Sequence, residues 1–194
     1  MLTDNFGRRF SYLRLSITDV CNFSCNYCLP DGYQCDQPRD FLSLCEIKRL
    51  TKAFAQLGTE KIRITGGEPA LRKDLPEIIQ ICKQTQGIKK VAITSNGFKL
   101  TEHLPQWLDA GIDAINISID SLDPRQFHAI TGHDKLTTIL DGIDMGLADG
   151  RASIKVNTVL MRQYSGKDIQ SYLDWIKDTP VTLRFIELMQ SGDN

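Results

Sequence analysis

Apolar residues recur at every second position in six short runs of this chain: Leu13/Leu15/Ile17, Ile62/Ile64, Val91/Ile93, Ile115/Ile117/Ile119, Ile154/Val156 and Val181/Leu183/Phe185. A period of two is the mark of a strand with unlike faces. The runs predict strands over 12–18, 61–65, 90–94, 114–120, 153–160 and 181–188. Between the apolar positions stand Arg14, Ser16, Arg63, Thr65, Thr94, Asn116, Ser118, Asp120, Lys155, Asn157 and Arg184. A parallel sheet covered on both faces reads almost continuously apolar. Here one face is polar in every run.

Helical signals fill the intervals. Ser43-Leu44-Cys45-Glu46 is a capping box, followed at helical spacing by Ile47, Leu50, Phe54 and Leu57, with Gly58 as a stop. Asp74-Leu75-Pro76-Glu77 repeats that start signal ahead of Ile78, Ile81 and Cys82, and Gly87 ends it. Asp123-Pro124 predicts an N-cap with proline in the first turn. Gly111, Gly132 and Gly150 punctuate the later helices. Strands alternating with helices imply parallel βα units. With one face of every strand polar, the economical fold is α/β: a partial, open parallel β/α barrel of about six strands. Its helices lie outside and a ligand on the concave side. An antiparallel sheet with one wet face would give the same alternation, but the helical crossovers suit parallel strands. Six strands are fewer than a closed barrel's eight, so the sequence predicts an open barrel or a fragment. No linker or repeat divides residues 1–194, which read as one domain.

Composition narrows the chemistry. The 194 residues carry 23 Lys+Arg against 24 Asp+Glu, a net charge of −1. That balance argues against bulk electrostatic binding to nucleic acid or an acidic membrane. The chain has no apolar run of about 20 residues and no basic-then-apolar leader, which predicts a cytoplasmic protein. Six cysteines in such a chain read as reduced thiols, with metal binding ahead of disulfides. Cys35, Cys45 and Cys82 are scattered, and Cys45 and Cys82, inside helical patterns, read as small buried apolar residues. Cys21, Cys25 and Cys28 cluster in a C-x3-C-x2-C loop directly after the first strand.

Three thiolates can hold three corners of an iron–sulfur cluster. They leave a zinc site one ligand short, to be completed by Cys35 or a distant side chain, since His103, His128 and His133 lie far along the chain. The loop resembles that of the radical S-adenosylmethionine (SAM) superfamily, with Tyr27 as the aromatic before the last cysteine. The resemblance implies a four-iron, four-sulfur cluster whose open iron chelates the methionyl group of SAM. One electron then releases a 5′-deoxyadenosyl radical. Gly66-Gly67-Glu68-Pro69 after the second strand resembles the superfamily's GGEP motif, which grips the methionyl amino group. Paired glycines suit close approach of backbone to ligand, and Glu68 offers an acceptor for an ammonium. Ser118 and Asp120 match polar positions used near the cofactor's ribose and carboxylate.

Arg14, Arg63, Lys155 and Arg184 on one concave face suit a polyanion such as a nucleoside triphosphate, unless Glu68, Asp120 or Glu187 pairs with them. The segments 13–23, 63–69, 94–97, 118–123, 155–157 and 184–189 resemble the GTP 3′,8-cyclase branch of the superfamily, which acts in molybdenum cofactor biosynthesis. The resemblance assigns Cys21, Cys25 and Cys28 to the cluster. It assigns Tyr27, Gly67, Ser118 and Met189 to SAM, and Arg14, Arg63, Thr94 and Lys155 to GTP. The implied reaction abstracts the ribose 3′-hydrogen and joins C3′ to guanine C8, with no catalytic acid–base dyad in the initiating step. The implied partners are GTP, an electron donor and a downstream cyclic pyranopterin monophosphate synthase, with a homodimer left open. The branch's C-terminal region, with three more cysteines for a second cluster, has no counterpart here. The chain therefore resembles the N-terminal catalytic half, expected to cleave SAM but to cyclise little GTP. The rivals are another radical SAM enzyme, acting on a peptide or a different nucleotide, and a catalytically silent cluster-binding module.

Overall fold

All six alternating runs fold as strands. The computed structural model describes residues 2–35, 40–161 and 165–188. Its strands are β1 (Tyr12–Ser16), β2 (Lys61–Thr65), β3 (Lys90–Ser95), β4 (Ala114–Ser118), β5 (Ser153–Leu160) and β6 (Thr182–Glu187). They lie in one sheet in the order β1-β2-β3-β4-β5-β6, each neighbouring pair parallel. The antiparallel alternative is thereby excluded. Parallel crossovers are almost always right-handed, and an order that never reverses places every crossover on the same side. The helices accordingly cover one face of the sheet and leave the other bare. Among the described residues β1 and β6 do not pair, so the barrel is open.

The apolar parity of the strands makes the core. Ile62, Ile64, Val91, Ile93, Ile115, Ile117 and Val156 are fully buried against Ile47, Ile78, Leu104, Trp107, Ile139 and Ile143 of the helices. Among the described residues no helix is long and apolar enough to cross a membrane.

Helix starts follow the sequence signals with one exception. α1 (Leu44–Gln56) opens on the capping box: Glu46 N donates to Ser43 Oγ (3.3 Å) and Ser43 N to Glu46 Oε2 (2.9 Å). Its buried residues are Ile47 and Thr51, while Leu57 is exposed. Cys45 is exposed too, which corrects its reading as a core residue; Cys82, of α2 (Leu75–Gln84), is fully buried. Asp74 sits at the N-cap of α2 without capping it. Arg72 takes both carboxylate oxygens instead, at 2.9 and 2.6 Å, and its Nη1 donates to the carbonyls of Ile17 and Leu42. A guanidinium held between two carbonyls outcompetes a helix-end N–H for the carboxylate. α3 (Leu100–Asp109) precedes β4. α4 (Pro124–Thr131) is capped by Asp123 and ended by left-handed Gly132, and α5 (Leu136–Asp149) and α6 (Ser165–Asp178) flank β5.

Candidate active site

The cysteine loop leaves the C-terminal end of β1 and is fixed at both of its flanks. Phe23 is buried, stacked on the His133 ring at 4.8 Å and edge-on to Phe98 and Phe127. Ser24 N and Asn26 N donate to the carbonyls of Thr131 and Ile130 at the end of α4 (3.2 and 3.0 Å). His133 Nε2 lies 2.8 Å from the Asn22 carbonyl, an acceptor, so that nitrogen carries the proton and donates. Cys28 N and Leu29 N fold back onto the Cys25 carbonyl and close a tight turn.

Within this turn Cys21 and Cys25 are partly buried and Cys28 is exposed. Burial pushes the Cys21 thiol up, and Glu68 and Cys28 add to the effect. Burial pushes Cys25 up to about 12, with Asp120 and the other two thiols contributing. Cys28 therefore sits close enough to oppose the ionisation of Cys21 and Cys25, and a bound cation would relieve that opposition. Among the described residues no three His, Cys, Asp or Glu side chains converge as a single-ion site requires. A cluster needs a different arrangement, each thiolate on its own iron, and three soft thiolates in one turn fit that group.

The GGEP segment packs directly on this loop. Gly67 N donates to Thr18 O (2.9 Å) and Glu68 N to Val20 O (2.7 Å). A Cβ on Gly66 would run into Thr18 O, and one on Gly67 would run into Val20 O and Asp19 O. The glycines are thus required where two loops touch backbone to backbone, although Gly67 itself remains exposed. Glu68 corrects the expectation of a ligand acceptor. Only 1 % exposed, it accepts from Ala70 N (2.9 Å) and Ser95 Oγ (2.8 Å) on one oxygen and from Asn96 N (2.5 Å) on the other. Asn96 Nδ2 in turn donates to Asn22 Oδ1 (2.9 Å). Glu68 therefore joins the loops after β2 and β3 to the cysteine loop and presents no oxygen at the surface. Burial raises its pKa, while the three donors pull it back.

Ser118 lies half-buried at the end of β4. Two residues on, Asp120 accepts from Tyr27 Oη (2.7 Å) and from Val159 N (2.8 Å). Burial raises both the Asp120 and Tyr27 pKa values. Tyr27 is thus tethered through its hydroxyl to the far ends of β4 and β5. Tyr27→Phe is expected to cost about 1–2 kcal/mol of stability, because it leaves a buried carboxylate with one fewer donor. Urea unfolding checks this; an unchanged midpoint would refute the tether. Met189 lies outside the described residues.

On the bare face the structure brings Arg14, Arg63, Thr94 and Lys155 together. Arg14 is in register with Arg63, and Thr94 with Asn116, which is in register with Lys155. Arg184 pairs with Asn157 one step further along. Burial and the neighbouring cations Arg184, Lys90 and Arg63 lower the Lys155 pKa. Burial lowers that of Arg63, and Arg184 and Arg14 lower it further. Among the described residues no carboxylate pairs with any of these four cations, and Glu68 and Asp120 are committed elsewhere. The sequence reading missed Lys61 and Lys90, which join this set at the start of β2 and β3. Stepping back two residues from Arg63 along the same parity reaches Lys61, so the signal was present. Arg63 Nε, Thr94 Oγ1, Asn116 Oδ1 and Asn157 Oδ1 are all buried without a partner among the described residues. Four such atoms on one face are a concentration that packed interiors do not show.

Comparison with known proteins places this arrangement. The profile of the Radical SAM superfamily matches residues 15–176. The GTP 3′,8-cyclase of Pectobacterium atrosepticum is 57% identical over 99% of this chain, which covers 59% of that protein. That of Psychromonas ingrahamii is 55% identical over 100% of the chain and 57% of its own length. The chain thus spans less than two thirds of the curated relatives it matches. Among solved structures, Streptococcus suis SuiB bound to S-adenosylmethionine superposes with a TM-score of 0.76 at 16% identity, covering 94% of this chain and 42% of that one. TYW1 with a lysine-pyruvate adduct gives 0.67 at 20%, covering 95% and 67%. These two share the fold.

Proposed function

Since the chain belongs to the Radical SAM superfamily, we propose that its 194 residues are the core of a GTP 3′,8-cyclase, carrying the cofactor and nucleotide sites. Cys21, Cys25 and Cys28 hold the cluster, and Tyr27, Gly67, Ser118 and Met189 surround SAM. The bound cluster and SAM supply a 5′-deoxyadenosyl radical, the oxidant of the reaction. The chain's own task is to bind, orient and exclude water. Arg14, Arg63 and Lys155 receive the triphosphate, with Thr94 level with Lys155 across the sheet. Phosphate oxygens also offset the repulsion from neighbouring cations that, after burial, lowers the Lys155 and Arg63 pKa values. Holding the phosphates at one end fixes how far the ribose reaches toward the cysteine loop. A misplacement of about 1 Å there costs on the order of a hundredfold in rate.

The observation that carries this reading is a row of cations, without carboxylate partners among the described residues, on the bare face of the sheet whose first strand leads into the cysteine loop. A peptide-modifying enzyme has no use for that row. The similarity to GTP 3′,8-cyclases adds GTP as substrate, a single-electron donor, an enzyme that consumes the cyclic nucleotide, and a compartment that keeps thiols reduced. Lys155→Ala is expected to weaken GTP roughly 10- to 150-fold by loss of a charge-assisted bond, and guanosine hardly at all. Calorimetric titration with both ligands, and with a peptide as competitor, is the test. Equal losses for GTP and guanosine, or displacement of GTP by the peptide, would sink the proposal.

A further inference from the structure

Tyr12 opens β1 on the concave face, where the pattern of charged and small polar residues gives no reason for a large ring. It is 41% exposed, and among the described residues its hydroxyl has no hydrogen-bond partner. The ring does have neighbours. Lys61 Nζ lies 5.3 Å from its centroid and Arg63 Cζ 5.6 Å, both within the reach of a cation–π contact. The register explains the geometry: Tyr12 pairs directly with Lys61, and Arg63 is the diagonal neighbour on the same face. Lys61 and Arg63 stand two residues apart on β2, and burial, then the Arg63 charge, lower the Lys61 pKa.

From this geometry we infer that Tyr12 is a positioning residue for the triphosphate, its ring holding Lys61 and Arg63 in the places from which they meet the phosphates. The inference rests on the nucleotide site proposed above. Long cationic side chains without carboxylate partners lose rotamer freedom when an anion binds. A ring that already attracts both heads meets part of that cost before the ligand arrives. A carboxylate in its place would hold the cations equally well, but it would neutralise the charge that the phosphates need. An aromatic face attracts a cation without carrying a net charge, which suits a site that must stay positive. The same argument assigns no work to the phenol oxygen, so phenylalanine should serve at this position and an aliphatic residue should not.

The test is calorimetric binding of GTP, guanosine and inorganic tripolyphosphate to the unaltered protein, Tyr12→Phe and Tyr12→Leu. Thermal melts establish that all three are folded. Tyr12→Phe should bind every ligand within about twofold of the unaltered protein. Tyr12→Leu should weaken GTP and tripolyphosphate roughly 3- to 30-fold and leave guanosine unchanged. Tripolyphosphate binding by Tyr12→Leu as tight as by the unaltered protein would overturn the inference. Equal losses in the two variants would do so as well, since they would assign the role to the hydroxyl. A loss of guanosine binding parallel to that of GTP would mark general damage and also count against it. Should Tyr12→Leu fail to melt cooperatively, Tyr12→Met carries the same comparison. If tripolyphosphate binds as predicted but GTP no better than ATP, the cyclase reading fails while the role of Tyr12 stands. If the unaltered protein binds no tripolyphosphate, both fail.

Discussion

Alanine in place of Cys21, Cys25 or Cys28 leaves protein that, after anaerobic reconstitution, lacks the visible absorbance of a cluster and forms no 5′-deoxyadenosine. In the proposed site each thiolate would be the sole protein ligand to its iron, so losing one leaves that iron without a protein anchor. The strongest internal control is Cys45, which is exposed on α1. Cys45→Ser should retain iron at the level of the unaltered protein, about four atoms per chain for a single four-iron cluster. Iron and sulfide analysis on both variants decides the matter. Full iron retention by the Cys25→Ala variant, or loss in the Cys45→Ser variant, would remove the assignment.

The second large effect is expected at Glu68, far from any reacting atom. Both of its oxygens accept from a backbone N–H, Ala70 on one side and Asn96 on the other. Glutamine must therefore turn its NH2 toward a donor whichever way the amide lies. The isosteric Glu68→Gln should lower stability by about 2 kcal/mol, the cost of stranding a buried donor, and the melting temperature by roughly 4–8 °C. The pH dependence provides a second check. Burial holds the folded-state pKa of Glu68 above its unfolded value. Such an acid binds more protons folded than unfolded, so its contribution to stability falls as pH rises through that window. The gap between the unaltered protein and Glu68→Gln should accordingly widen as pH drops from neutrality toward the ordinary carboxylate range. A variant as stable as the parent across that range would show that the three bonds do not matter.

Fold and site differ in how much of them the sequence discloses. The barrel was legible because parity is local: two residues suffice to tell which face a side chain takes. The predicted strands at 12–18 and 114–120 overran the ladder by two residues. The chain stays extended there, and Ile17 N and Ile119 N still donate to Thr65 and Asn157. Such residues look like strand in any short window. Cys45 was misplaced by treating the whole helix as amphipathic without tracking its phase. Two residues before buried Ile47, it falls on nearly the opposite side at 100° per residue. Glu68 lay beyond sequence reasoning of this kind. Its decisive partner, Asn96, is 28 residues away, and an acidic residue in a glycine turn reads as a ligand group until that partner is seen. The tether of Tyr27 to Asp120 spans 93 residues and was hidden for the same reason.

Those long separations also set an order of events during synthesis. The cysteine loop emerges well before the residues that immobilise it. Ser24 is bonded to Thr131, 107 residues on, and Asn22 to His133, 111 residues on. Ribosomes add about 5–20 residues per second, so the three thiols spend roughly 5–20 s attached to a nascent chain without their clamp. Iron delivered in that interval meets a loop free to bind in other ways. Correct metallation therefore belongs after α4 has docked, and expression in cells that translate slowly or load iron early should yield a larger fraction of misloaded protein.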